Sequence, residues 1–271
     1  MSTLFSDPYQ GWLEALCGLC EEAGAVIASH YHSDDGCSHR SKSDNSPLTD
    51  ADLASHAILV RGLREFGLPV LSEESSPEVF SERLGWDEFW MVDPLDGTKE
   101  FIERTGEFTI NIALIRKHRA CFGMIAVPLR GEIYVGEPGR GAAKYRVGQW
   151  HPIQCRKLTA AAPLVVLTSR RHRGDKLAAC LQGLEDHAGG VEREYMGSAL
   201  KFCELAEGKA DFYPRFSPCS EWDTAAGQAL LEGAGGQLVG LEGEPLQYNA
   251  RQGLLNPDFL AVADTRIFRY T

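Results

Sequence analysis

From Tyr9 to His32, apolar residues return every three or four positions, with Leu13, Leu16, Ala23, Val26 and Ile27 on one side. That period predicts an amphipathic helix. Residues 33–47 break the pattern with a Ser- and Asp-rich run, read as a mobile loop in which Lys42 could close over a bound phosphate. Thr49, with Asp52 three positions on, resembles a capping box and opens a helix to about Phe66. Residues 68–72 and 89–92 are short apolar runs that end in carboxylates, and both read as buried strands. Segments 108–115 and 120–128 read as a strand pair, 132–136 as a third strand, and 136–157 as a meander. A second half starts near Pro163. It alternates strand 164–167, helix 175–184, strand 191–195, helix 198–208, strand 210–213 and helix 223–232, then closes with strands 237–240 and 260–264. Strands alternating with helices, without internal repeats, predict a layered α/β architecture.

No run approaches the roughly 18 apolar residues of a membrane span. The first residues lack the basic start and apolar core of a signal peptide, so a cytoplasmic protein is expected, with or without loose attachment at the inner face of a membrane. A net charge of −11 argues against nucleic acid as a partner. It does not exclude a small anionic substrate, because bound cations reverse the local field. The eight cysteines read as reduced thiols; Cys17 and Cys20 have the Cys-x-x-Cys spacing of redox pairs and zinc sites, but they fall on the helical period and read as core or half-buried helix residues.

The candidate chemistry gathers at Trp90–Phe101, Trp-Met-Val-Asp-Pro-Leu-Asp-Gly-Thr-Lys-Glu-Phe. Asp93 and Asp96 flank a Pro-Leu turn after an apolar strand, which would present both carboxylates at a sheet edge. Gly97 and Thr98 offer backbone N–H groups where the chain re-enters helix. Acids beside an anion-binding turn suit a divalent cation that shares its oxygen ligands with a substrate phosphate. An ordinary Asp-rich turn capping its own backbone is the competing reading. Two further segments favour the metal: Ser72-Glu73-Glu74-Ser75 at a strand end, and Glu221-Trp222-Asp223-Thr224-Ala225-Ala226-Gly227 at the head of a small-residue helix.

In that order, these three motifs resemble the magnesium-dependent, lithium-sensitive phosphatases of the inositol monophosphatase superfamily. Residues 42–52, 97–111, 197–203 and 213–216 are similar to its CysQ-type branch, the 3'(2'),5'-bisphosphate nucleotidases. The resemblance covers nearly the whole chain and implies an α-β-α-β-α sandwich. In it, a half of residues 1–160 would carry most metal ligands, and a half of 161–271 would carry Asp223 and the substrate pocket. It implies two or three Mg2+ held by Glu73, Asp93, the Leu95 carbonyl, Asp96 and Asp223. Thr98, steadied by Asp52, would orient and activate water together with Glu73. Asp50 would face solvent. Glu73, Leu95, Asp96, Gly97, Thr98, Ser198, Lys201, Arg215 and Asp223 would contact a small phosphorylated nucleotide, in a monomer or a homodimer.

Arg215 falls where the inositol-specific branch carries a carboxylate, and a guanidinium there favours a second phosphate. Lys201 would add charge or sit over a base; otherwise Arg215 and Lys201 are surface groups. Trp222 is expected to pack behind Asp223. An Asp-x-Asp-Gly-Thr aspartyl-phosphate phosphatase fits poorly, because this chain has one residue more between the acids. An inositol or sugar phosphate phosphatase is the alternative enzyme, and a non-catalytic metal and nucleotide sensor is the alternative of another class.

Overall fold

The computed structural model describes residues 4–33, 39–41, 47–159, 162–171, 174–185 and 189–271. Lys42 and its neighbours 43–46 lie outside the described residues. In chain order the elements are α1 (Tyr9–His32), β1 (His39–Ser41), β2 (Pro47–Thr49), α2 (Asp50–Arg64), β3 (Val70–Ser72), α3 (Pro77–Glu82), β4 (Glu88–Asp96) and α4 (Thr98–Ile102). An antiparallel run follows: β5 (Thr109–Arg116), β6 (Arg119–Val127), β7 (Glu132–Glu137), β8 (Gly141–Arg146) and β9 (Gln149–Ile153). The rest comprises β10 (Leu164–Thr168), α5 (Asp175–Leu184), β11 (Val191–Tyr195), α6 (Leu200–Ala206), β12 (Phe212–Arg215), α7 (Glu221–Gly233), β13 (Gln237–Gly240) and β14 (Phe259–Val262).

Two sheets organise them. One runs β3-β4-β5-β6-β7-β8-β9, and the other runs β11-β10-β12-β14-β13. α1 and α2 cover one face of the first sheet, where Leu16, Ile27 and Leu59 meet Trp90, Ile112 and Phe122. α6 and α7 lie between the sheets, with Phe202, Ala226 and Leu230 packed among residues of both. α5 closes the far face of the second sheet against Val166, Leu260 and Val262. The order of layers is α-β-α-β-α, as the family resemblance implies. The central core draws on residues from both halves of the chain. β4 and β5 are buried on both faces, which is why their sequences read as apolar runs and not as alternation. No helix among the described residues is long and apolar enough to cross a membrane.

Close approach of α7 to the first sheet depends on glycine. A Cβ on Gly136 would lie 2.3 Å from Leu230 Cα, and one on Gly123 would lie 2.4 Å from the Ala226 carbonyl oxygen. No side chain fits at either place. That packing puts the N-terminus of α7, and Asp223 with it, beside the end of β4.

Candidate active site

The acids do not stand at a lateral sheet edge, as the turn alone suggested. β4 is second in its sheet, parallel to β3 and antiparallel to β5, and the acids lie at its C-terminal end. Pairing continues past Pro94 through a bulge, because Asp93 faces Asn111 while Asp96 faces Thr109. The extra residue lets both carboxylates converge on one point instead of alternating across the strand. Ser55 of α2 fixes the turn by donating its hydroxyl to the Pro94 carbonyl at 2.7 Å. Gly97 follows at φ +94°, and a Cβ there would meet the Glu107 carbonyl oxygen at 2.9 Å.

One oxygen from each of Asp93, Asp96 and Asp223 lies within 4.8 Å of the others. Glu73, just past β3, is the largest electrostatic influence on Asp93. Burial first, then Glu73, Asp96, Asp223 and Asp52, push the Asp93 carboxyl well above the usual carboxylate range. Burial and then Asp96 raise Asp223 to about 6. Asp96 is also raised by burial, against the pull of Lys201, Asn111, the Ala199 N–H and Arg215. Crowded, buried acids that resist ionisation are what a hard cation with oxygen ligands would relieve, so the donor set fits a divalent metal.

Asp52 is 2% exposed and serves two contacts at once. Its Oδ2 accepts the Thr49 N–H at 2.8 Å and the Thr49 hydroxyl, completing the capping box of α2. Its Oδ1 lies 3.1 Å from the Thr98 hydroxyl, whose single proton it shares with the Leu95 carbonyl at 3.3 Å. Helix cap and partner of Thr98 are therefore one carboxylate. Asp50 is exposed.

Asp96 is steadied from both halves of the chain. Its Oδ2 accepts the Ala199 N–H at 2.6 Å and the Asn111 amide at 3.3 Å. Ser198, in the left-handed region at φ +52°, contacts the Thr109 hydroxyl at 2.9 Å. Asp223 accepts the Ser220 N–H at 3.0 Å and the Cys219 thiol at 3.2 Å. Thr109, Asn111, Ser55 and Cys219 carry no signal that isolates them in the sequence; only the strand register and helix docking bring them here.

Lys201 is not a solvated helix residue. It is 3% exposed, with its ammonium on the Ser198 carbonyl at 2.6 Å and the Met196 carbonyl at 3.2 Å, over the Tyr213 ring. Burial, then Arg215, lower its pKa to about 8. Arg215 is no surface arginine either. It donates to the Ser217 and Pro218 carbonyls and the Tyr213 hydroxyl, and it lines the cleft. Trp222 packs against Phe80 and the central core. A chamber of about 130 Å3 contains Asp96, Gly97, Ser198, Lys201 and Asp223. A second chamber of about 410 Å3 adjoins it through Ser169, Arg171, Tyr213 and Arg215, which line both.

Five layers, with an acid cluster where two sheets and a central helix converge, define the fold and a candidate metal centre within it. The chain belongs to the inositol monophosphatase family, whose model matches residues 9–269. It is 43% identical over 249 residues to the 3'(2'),5'-bisphosphate nucleotidases CysQ of Salmonella typhimurium and Escherichia coli K12, covering 91% of this chain and 98% of each relative. The crystal structure of CysQ from Bacteroides thetaiotaomicron superposes with a TM-score of 0.80 at 38% identity, over 92% of this chain and 97% of that one. An inositol monophosphatase from Thermotoga maritima has the same fold, with a TM-score of 0.74 at 21% identity.

Proposed function

We propose that the protein is a Mg2+-dependent 3'(2'),5'-bisphosphate nucleotidase that hydrolyses the 3'-phosphate of 3'-phosphoadenosine 5'-phosphate to give AMP and phosphate. The observation that carries the reading is the cluster of Asp93, Asp96 and Asp223, of which Asp96 and Asp223 line the smaller chamber of a cleft that also holds Arg215 and Lys201. The CysQ relatives supply the substrate class.

Glu73, Asp93, the Leu95 carbonyl, Asp96 and Asp223 would hold two or three Mg2+, most of them from residues 1–160 and Asp223 from 161–271. Such ions, when bound, neutralise the phosphate and make water a better nucleophile at neutral pH. The Thr98 hydroxyl donates its hydrogen bond to Asp52 and Leu95, so its oxygen is left to accept a hydrogen bond from the attacking water. Glu73 receives the water's other proton. The new bond joins the water oxygen to phosphorus, the bond between phosphorus and the ribose oxygen breaks, a second water in the cleft gives the departing ribose oxygen its proton, and no phosphoenzyme forms. Gly97, Thr98 and Ser198 contact the reacting phosphate, while Arg215 and Lys201 favour a substrate with a second anionic group.

Turnover compared on the bisphosphate nucleotide, inositol 1-phosphate and fructose 1,6-bisphosphate tests the reading. Hydrolysis of the nucleotide at the highest kcat/KM is expected. Activity confined to inositol 1-phosphate would overturn the substrate, and no turnover on any would favour a sensor.

A further inference from the structure

We propose that Arg171 is a specificity-determining residue that, together with Arg215, binds the phosphate that is not cleaved. The inference rests on the bisphosphate reading above. Arg171 and Arg215 both line the smaller chamber and the larger one, so two arginines stand where the chamber of Asp96 and Asp223 meets the nucleoside-sized space. A substrate whose scissile phosphate lies at the acids and whose nucleoside fills the larger chamber carries its second phosphate past this passage. Each nitrogen of Arg215 already donates within its own loop, which fixes its direction and limits how many phosphate oxygens it serves alone.

Arg171 is held differently. Its partners are carboxylates of α4 and the residue after it, Glu100 at 3.0 Å and Glu103. Glu103 is 58% exposed, and exposed ion pairs of this kind are weak. A phosphate dianion of higher charge offers the same fork a better bidentate acceptor and takes the place of Glu103. The neighbouring Arg170 is engaged elsewhere, on both oxygens of Glu107, which also accepts the Gly197 N–H. Arg170 therefore braces the Ser198 turn through a half-buried carboxylate, whereas Arg171 holds in Glu103 an exposed partner that a ligand can displace.

Steady-state kinetics on 3'-phosphoadenosine 5'-phosphate and on adenosine 3'-phosphate, which lacks the second group, test this. Arg171→Ala should raise KM for the bisphosphate by about ten- to a hundredfold with kcat changed far less, and weaken turnover of adenosine 3'-phosphate much less. Arg171→Lys, which keeps the charge without the fork, should fall between. Glu103→Gln is the decisive variant. If the phosphate displaces Glu103, its loss should lower KM for the bisphosphate by about two- to threefold. If Arg171 only clasps α4, Glu103→Gln should instead impair both substrates as Arg171→Ala does, and the assignment falls. A wild type that prefers the bisphosphate while Arg171→Ala keeps the same preference overturns Arg171 alone. A wild type with no preference between the two nucleotides overturns the bisphosphate reading beneath it.

Discussion

A buried acid among acids has opposite values with and without a cation, and Asp223 makes the sign explicit. Its pKa is about 6 in the folded, metal-free chain, against roughly 4 when unfolded. Between those values the folded state holds the extra proton, so its contribution to stability falls as pH rises through that window. The penalty is absent below about pH 4 and complete above about pH 7. Metal-free Asp223→Asn should therefore exceed wild type in stability at pH 7.5, by on the order of 1–3 kcal/mol, and denaturant titration should find the gap closing towards pH 4. The same variant, like Asp93→Asn, should lose more than about a hundredfold in turnover, since even outer partners of a metal ligand cost 10–100-fold. Near-normal turnover at saturating Mg2+ would remove either residue from the metal site. Arg215→Ala should act on binding, raising KM for the bisphosphate about ten- to a hundredfold with kcat less affected. Equal losses on a substrate without the second phosphate would make Arg215 structural. Acids of this kind were legible in the sequence because clustered carboxylates are conspicuous. Thr109 and Asn111 were not, because their contacts with Asp96 depend on a bulge that no local pattern announces.

Each site acid is placed by the end of an element, and the elements were legible unequally. The apolar period of α1 and the capping box of α2 are plain in the sequence, and the bounds expected for α5 and β11 match the structure. The apolar run predicts a strand that ends at Val92, but a bulge lets β4 run on past Pro94 to Asp96. β1 and β2 pair over three residues each, and α3 buries none of its residues, so hydrophobic spacing could reveal none of the three. What local sequence cannot convey is where α7 docks, and there Gly136 decides. Gly136→Ala would set a methyl against the α7 backbone at Leu230 and Ala229. Overpacking at such a contact costs about 1–3 kcal/mol, roughly 2–10 °C in Tm for a chain of this size. Because α7 carries Asp223, the Mg2+ concentration for half-maximal activity should rise as well. Gly141→Ala is the control, since nothing lies within 4 Å of a Cβ there. An unchanged Mg2+ requirement in Gly136→Ala would separate helix docking from the site.

At the scale of the whole molecule, strand and helix alternation announced layers, but it did not say that α6 and α7 would be shared between two sheets. That came from the family resemblance, and the central core built from both halves bears it out. The arrangement has a thermodynamic consequence. Asp93 and Asp96 hang from β4 of the first sheet, and Asp223 hangs from the helix between the sheets, so one cation would tie the layers together. A ligand that binds only the folded state stabilises it by mass action, by about 2.7 kcal/mol at a hundredfold excess over its Kd. For a chain of this length, that is roughly 5–11 °C in Tm. Mg2+ should therefore raise the melting temperature of chelator-treated protein by about this amount at pH 7.5. The shift should shrink towards pH 4.5, where protons compete for the raised acids. It should also be largely lost in Asp223→Asn, although that variant starts from the higher metal-free stability. Calorimetric scans with and without Mg2+ at the two pH values read all of these at once. A wild-type melting temperature indifferent to Mg2+ at pH 7.5, at concentrations that support turnover, would mean that the three acids do not hold the ion together.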